Sequence, residues 1–260
     1  MNLFALSSYA VIFGVFLLMF ISFLVGSYTY RWLKKRRNVD GESTFGAVQG
    51  SLLGLLALLL SFTFSMSNSN YDRRVDAIRD EANAIGTAVL RADLYPDSIR
   101  QAYRKDLKEY LETRIEFYEA KTDMKRINES LKARQLIQES LWARASSIAR
   151  EPAFLMPNNQ MVPALNAMFD AVTTRNLALL KRVPEIILWV LILLCATSAF
   201  TLGYSQGGKS DWIMNIGFAI MICLALYLVI DLDRSRRGVI NTEFANQEIK
   251  NLRTMFSNPD

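Results

Sequence analysis

Residues 46–93 read GAVQGSLLGLLALLLSFTFSMSNSNYDRRVDAIRDEANAIGTAVLRAD and join two kinds of helical sequence. No charged residue lies between Ser43 and Tyr71, and about twenty apolar residues suffice for one helix to cross a bilayer. A charged pattern with the same helical character begins at Asp72, and no Gly or Pro interrupts the change. The segment therefore predicts one long helix that leaves the membrane and continues into water.

Small residues recur along the membrane half of this helix. They are Gly46, Gly50, Gly54 and Ala57, with Ser61 and Ser65 further along roughly the same face. Small residues at this spacing let helix backbones approach closely in a membrane. Two interpretations stay open, namely packing within the chain and a face that borders other subunits or a pore.

The hydrophobic residues, 51% of the chain, sit in four uncharged blocks separated by charged sequence. This distribution is typical of a membrane protein with four spans. The blocks cover about residues 9–30, 45–66, 186–204 and 212–230. The predicted fold is all-α: a four-span helical membrane protein with a helical extramembrane bundle between spans 2 and 3. The predicted parts are residues 1–71 with spans 1 and 2, 72–183 with the bundle, 184–233 with spans 3 and 4, and 234–260 with an extramembrane C-terminal helix and tail.

The middle region predicts several amphipathic helices and hardly any strand. One apolar stripe repeats at three- and four-residue steps and consists of Ile99, Tyr103, Leu107, Tyr110, Leu111, Ile115 and Tyr118. Pro96 is predicted to stop the helix before it, and Asp97 and Ser98 to cap the new one. A further helix is predicted to open near Asp123, and a last one to cover roughly residues 163–182. These stripes favour a small bundle, with packing between subunits as the alternative.

The composition argues against several functions. The chain has no histidine, and its two cysteines, Cys195 and Cys223, lie inside the third and fourth blocks. This removes the usual metal ligands and the commonest general base, and no nucleophile motif or Gly-rich phosphate loop is present. We therefore expect no enzyme, no metal and no cofactor. The basic residues behind the net charge of +5 cluster at membrane edges, which indicates contact with membrane lipid rather than nucleic acid.

Basic residues also predict the orientation. Arg31 and the run from Lys34 to Arg37 follow the first span, and such clusters usually stay in the cytoplasm. This places the N-terminus and the helical bundle outside the plasma (inner) membrane. Contrary evidence comes from basic residues that flank the opposite side, namely Arg73, Arg74, Lys181, Arg182, Arg234, Arg236 and Arg237.

Polar and aromatic residues near the second span are candidates for a pore. Gln49, Ser61 and Ser65 are predicted to line it, because polar groups inside a membrane usually face protein or water. Phe62 and Phe64 are candidates for an apolar constriction, which gates by dewetting, although packing against a neighbour is the alternative for each.

A second polar set follows on the extramembrane continuation of the same helix. Asn83, Thr87 and Arg91 step by four, and Glu81 lies beside them. These residues are candidates for a vestibule or for binding another helix, with an ordinary solvated face as the alternative.

The end of the fourth span carries a charged cluster. Its members are Asp231, Asp233, Arg234, Arg236 and Arg237. An ion-handling site is one interpretation, and anchoring of a helix end at the lipid headgroups is the other.

Several segments together resemble one family. They are residues 54–66 (GLLALLLSFTFSM), 71–74 (YDRR), 81–88 (EANAIGTA) and 90–94 (LRADL). They resemble the signature of the bacterial bestrophin-like membrane family, a family of unknown function named for a proposed relation to bestrophin anion channels. Residues 231–234 (DLDR) and 236–238 (RRG) resemble its second motif, although family members tend to have proline in place of Ser235.

This resemblance implies a homo-oligomeric ring, pentameric by analogy, whose second span lines a pore with an apolar neck in it. The pore stretch would be residues 49–65. The hypothesis is therefore an oligomeric ion channel, permeable to an inorganic anion such as chloride, in the plasma membrane of a bacterium. Bestrophins keep their termini and helical bulk in the cytosol, whereas the basic residues here predict the outside. The alternative is a non-conducting membrane scaffold or sensor whose bundle binds a partner, and a transporter is a third reading without a repeat or broken span to support it.

Overall fold

The computed structural model describes residues 7–37, 42–206, 211–234 and 238–257. Within these ranges the chain is helical and contains no strand. The α-helices are α1 Ser8–Arg37, α2 Glu42–Ala92, α3 Asp97–Glu119, α4 Met124–Ile148, α5 Leu155–Leu180, α6 Glu185–Ser205, α7 Trp212–Leu232 and α8 Glu243–Asn251, with short 3₁₀ helices at Pro152–Phe154 and Leu252–Phe256. The predicted all-α class is confirmed.

Among the described residues, four helical segments are long and apolar enough to cross a membrane. They contain α1, the first half of α2, α6 and α7, as the four uncharged blocks predict. Helix α2 is 51 residues long and runs unbroken from the apolar segment through the charged one. The predicted long helix is therefore confirmed.

The chain divides into two compact units. The first contains residues 1–70, 182–234 and 238–240, and the second contains residues 71–181, 235–237 and 241–260. Helices α1, α6 and α7 and the first half of α2 build the first unit, whose core includes Met19, Leu56, Leu191, Cys195 and Leu226. Both cysteines are free and buried.

The second unit is a helical bundle. Its core joins the second half of α2, α3, α4, α5 and α8 around fully buried side chains such as Ile85, Leu107, Leu141, Leu165 and Ala245. The predicted stripe of α3 faces this core, since its five residues from Tyr103 to Ile115 are all buried.

Two local predictions in the bundle are wrong. The capping position of α3 is Pro96, which has no side chain to cap with, since Asp97 is already the first helical residue and its carboxylate pairs with Arg100 at 2.7 Å. The last bundle helix begins at Leu155 and not near Pro163, which lies inside it. Proline removes one backbone hydrogen bond, yet the helix continues through Pro163, and the neighbouring Leu165 is fully buried in the bundle core. By contrast, α4 opens at Asp123 as expected, and the Asp123 carboxylate caps it by accepting from two backbone N–H groups.

Candidate functional site

The membrane half of α2 is the least covered of the four spans. Only 11% of its most apolar 18-residue stretch is buried, against 33% in α1 and 39% in α7. Its packed side buries Leu56, Thr63 and Ser67 at steps of four and seven residues, which follows from the helical period. The opposite side, which carries Gly50, Gly54, Ser61 and Ser65, is exposed, and we call it the open face of α2.

The small residues lie on this open face. No atom of the described residues outside the helix itself lies within 4 Å of the position where a Cβ would stand on Gly46, Gly50 or Gly54. Ala57 is exposed as well. The stripe therefore does not seat another helix of the same chain.

The predicted pore residues are divided between two sides of α2. Ser61 and Ser65 lie on the open face, and Phe62 and Phe64 are also exposed, at 62% and 43%. Gln49 is half-buried and stands seven residues before Leu56, so it turns toward the packed side. Gln49 therefore does not share the face of the two serines, which corrects its grouping with them.

Glu81 is not on an exposed face with the other vestibule candidates. Its side chain is fully buried in the bundle and binds two arginines that are also buried, Arg114 and Arg175. The Arg175 guanidinium donates to the Glu81 carboxylate at 2.5 Å and to Asn246 at 2.7 Å. These residues form the buried ion cluster, in which one carboxylate serves two guanidinium groups.

The arginines keep Glu81 ionised. Burial raises the pKa of Glu81, but the charges of Arg114 and Arg175 lower it by more, so the pKa falls from 4.5 to about 2. A buried carboxylate is stable in this form only because it is paired and hydrogen-bonded. The buried ion cluster thus belongs to the interior of the bundle, and the sequence pattern did not predict it.

The remaining vestibule candidates lie on the solvent side of α2, unlike Glu81. Asn83 and Thr87 are exposed and Arg91 is half-buried on the outer side of α2. Leu90, between them along the chain, is 60% exposed. The open face thus continues past the membrane segment along the same helix.

The charged residues at the end of α7 are buried rather than extended toward lipid headgroups. Asp233 accepts hydrogen bonds from the backbone N–H of Val183 at 3.0 Å and from the Asn70 amide at 3.3 Å. Asp231 accepts from the backbone N–H of Ile240 at 2.9 Å. These carboxylates therefore hold backbone in place, and headgroup anchoring is wrong for them.

Arg234, the next residue of this cluster, is also buried, with 8% of its surface exposed. The last two members, Arg236 and Arg237, lie outside the described residues. No group of three or more Cys, Asp or Glu side chains in the described ranges is placed to hold a metal ion.

Two glycines that the sequence did not single out mark a close helix crossing. A Cβ on Gly26 of α1 would collide with the backbone of Phe200 in α6, and one on Gly203 of α6 would collide with the backbone of Phe23. The Ser27 hydroxyl donates to the Gly203 carbonyl at 3.1 Å. Isolated glycines carry no repeat, so spacing alone gave no signal for this crossing.

The fold and this geometry define a class, a multi-pass helical membrane protein in which one span is covered less than the other three. The chain belongs to the bestrophin-like family, since the model of the bestrophin-like domain matches residues 15–243. No curated protein matches the chain in sequence.

Solved structures of a bacterial bestrophin homolog from Klebsiella pneumoniae share the fold. One single-substitution variant of that protein is 16% identical with a TM-score of 0.70, covering 97% of this chain and 99% of the other. Two further variants are 14% and 16% identical, each with a TM-score of 0.68 and coverage of 95% and 99%. The predicted resemblance to the family is confirmed.

Proposed function

We propose that the chain forms an oligomeric ion channel in a bacterial plasma membrane, with the open face of α2 bordering the pore. The observation that carries this proposal is that α2 is the least covered of the four spans, with 11% of its apolar stretch buried against 33–39% in the others. Ser61 and Ser65 on that face offer hydroxyl groups to a partly dehydrated ion, and Phe62 or Phe64 narrows the path. Membership of the bestrophin-like family supports the same function.

The first test is ion flux through liposomes that contain the purified protein. We expect flux above that of empty liposomes, and a change of several-fold in Phe62→Ala or Phe64→Ala. Phe13→Ala in α1 is the matched control, because Phe13 is 64% exposed and Phe62 is 62% exposed. If the protein is folded and oligomeric but no variant gives flux, the channel proposal is refuted, and a non-conducting scaffold becomes the better explanation.

Assembly through the open face has its own test. Gly54→Leu places a large side chain on that face, whereas Gly217→Leu places one on α7, where a Cβ also has no described neighbour within 4 Å. We expect Gly54→Leu to change either the oligomer mass or the flux, and Gly217→Leu to change neither. Equal behaviour of the two variants in mass spectrometry of the intact complex and in flux would contradict the placement of α2.

Charges on the outer half of α2 bear on the permeant ion. We propose that anions pass preferentially but weakly, because Arg91 raises the local anion concentration while the exposed Asp76 and Asp80 oppose it. Arg91→Gln is expected to lower the chloride-to-sodium permeability ratio, and Asp76→Asn with Asp80→Asn to raise it. Reversal potentials that respond to neither change would show that this part of α2 does not border the ion path.

A further inference from the structure

An apolar groove lies between α1, α6 and α7 in the first unit. Its walls include Phe16, Phe20 and Phe23 of α1 and Trp212 and Ile216 of α7. The side chains of Phe20, Trp212 and Ile216 are each more than a third exposed, so the groove opens on the outside of the unit. All three helices are long and apolar enough to span a membrane. The groove therefore faces either lipid tails or a neighbouring subunit.

One end of the groove lies at the edge of the membrane. Trp212 is the first residue of α7, and its ring packs against the rings of Phe20 and Phe23 with centroids 5.8 Å apart in both pairs. Tryptophan is typical of the boundary between lipid tails and headgroups. From this end the groove follows α1 to Phe16, which is about 10 Å deeper than Phe23. The tail region of one leaflet is about 15 Å thick, so the groove covers much of the depth of a lipid tail.

A lysine stands beyond this end on the same side of α1. Lys34 follows Phe16 by about five helical turns, so the two side chains share one face of the helix. The Lys34 Nζ lies 5.8 Å from the centre of the Tyr30 ring, and that ring packs edge-on against Tyr204 of α6 at 5.5 Å. Tyr30 stands about 10 Å beyond Phe23 along α1. The ammonium group therefore lies outside the tail region, at the level of the lipid headgroups.

The chain is positively charged at this end of the spans. The segments that join α1 to α2 and α6 to α7, residues 31–43 and 205–211, carry six basic and three acidic residues. Within the described ranges no carboxylate forms an ion pair with Lys34, and the Asp211 carboxylate caps α7 by accepting from the N–H of Met214. A second copy of the chain on the groove would bring two positive ends together. An anionic lipid headgroup instead supplies the opposite charge.

We propose that the groove and Lys34 together bind one anionic phospholipid of the surrounding membrane. One tail lies along Phe16, Phe20 and Phe23, and the phosphate lies near the Lys34 ammonium group. A shallow groove is sufficient, because the bilayer supplies the remaining contacts of the tail. A zwitterionic lipid fits the groove equally well but brings a positive group to the same headgroup position, so the site selects for net negative charge. It is proposed whether or not the chain conducts ions.

The direct test replaces Phe20 of the full chain by a photo-reactive diazirine phenylalanine, in liposomes of phosphatidylethanolamine with phosphatidylglycerol as the minor lipid. Leu18 is the matched control position, because Leu18 and Phe20 are 38% and 37% exposed but point about 200° apart around α1. At Phe20 we expect the cross-linked lipids to be enriched in phosphatidylglycerol about fivefold over the bilayer, the preference that one basic group gives. At Leu18 we expect no enrichment. Cross-linked lipids at Phe20 that match the bilayer, or a cross-link between two copies of the chain, would overturn the proposal.

Two charge variants separate the site from general attraction to the basic end of α1. Lys34→Gln and Arg36→Gln remove the same charge from exposed positions, so neither change is expected to unfold the chain. Arg36 points about 200° away from Lys34 and lies over the Trp32 ring at 4.4 Å. With the reactive group in place of Phe20, we expect Lys34→Gln to lose the phosphatidylglycerol enrichment and Arg36→Gln to keep it. Equal enrichment in the two variants, whether lost or retained, would contradict the site.

Discussion

Replacement of Glu81 by glutamine tests how far the buried ion cluster stabilises the bundle. Arg114 and Arg175 are 1% and 4% exposed at their side chains and Glu81 is fully buried. Removal of one partner from a buried ion pair costs about 3–5 kcal/mol because it leaves an uncompensated charge. In Glu81→Gln two guanidinium groups lose their counter-charge, so we expect a loss at the upper end of this range. Domains are stable by only about 5–15 kcal/mol.

Thermal unfolding of the detergent-solubilised protein, followed by circular dichroism, measures this loss. With about 2–4 °C per kcal/mol for a domain of 150–250 residues, a loss near 5 kcal/mol should lower the midpoint of Glu81→Gln by at least about 10 °C. Glu112→Gln is the matched control, since Glu112 pairs with Arg253 at 2.6 Å but both side chains are about half exposed. Such a surface pair contributes about 0–1 kcal/mol. Equal midpoints for the two variants would refute the stabilising role of the cluster.

Three further predictions concern pH and close packing. The pKa of Glu81 is about 2 in the folded chain against an ordinary value of 4.5, so the ionised carboxylate stabilises the fold fully above about pH 5 and less as the pH falls toward 2. The difference in unfolding midpoint between the wild type and Glu81→Gln should therefore narrow between about pH 5 and pH 2. A difference that stays constant over this range would contradict the prediction. Gly26→Ala and Gly203→Ala force two helix backbones apart and should each cost about 1–3 kcal/mol or more, whereas Gly217→Ala, which meets no described atom, should leave the unfolding midpoint unchanged. Asp233→Asn should lower the midpoint, because the acceptor for two buried N–H donors is weakened, and an unchanged midpoint would show that these bonds are dispensable.

Sequence reasoning succeeds where a pattern has a single low-energy solution. Long uncharged blocks must form helices in a membrane, because every backbone polar group needs an internal partner there. The stripe of α3 likewise faces the bundle core, from Tyr103 to Ile115. These features depend on neighbours along the chain, which the sequence displays directly.

The same reasoning fails where the partner is distant along the chain. Judged from the residues next to it in the sequence, Glu81 is expected to be solvated or to line a vestibule. Its partners Arg114 and Arg175, however, lie 33 and 94 positions further along the chain. Gly203 needs its lack of a side chain only because the Phe23 backbone crosses it. Such contacts follow from tertiary packing, and periodicity along one helix carries no information about them.

The hydrogen bonds of Asp231 and Asp233 have a consequence for the path of the chain. The chain passes from the first unit to the second after Asn70, returns just before Val183, and leaves the first unit for the last time after Ile240. Each of these three residues donates a hydrogen bond to one of two carboxylates that stand two positions apart. Three of the positions beside the unit boundaries are therefore held by hydrogen bonds to the end of α7. Residues 71–181 thus begin and end beside two residues, Asn70 and Val183, that donate to the same carboxylate, so Asp233 brings the two ends of this long segment together.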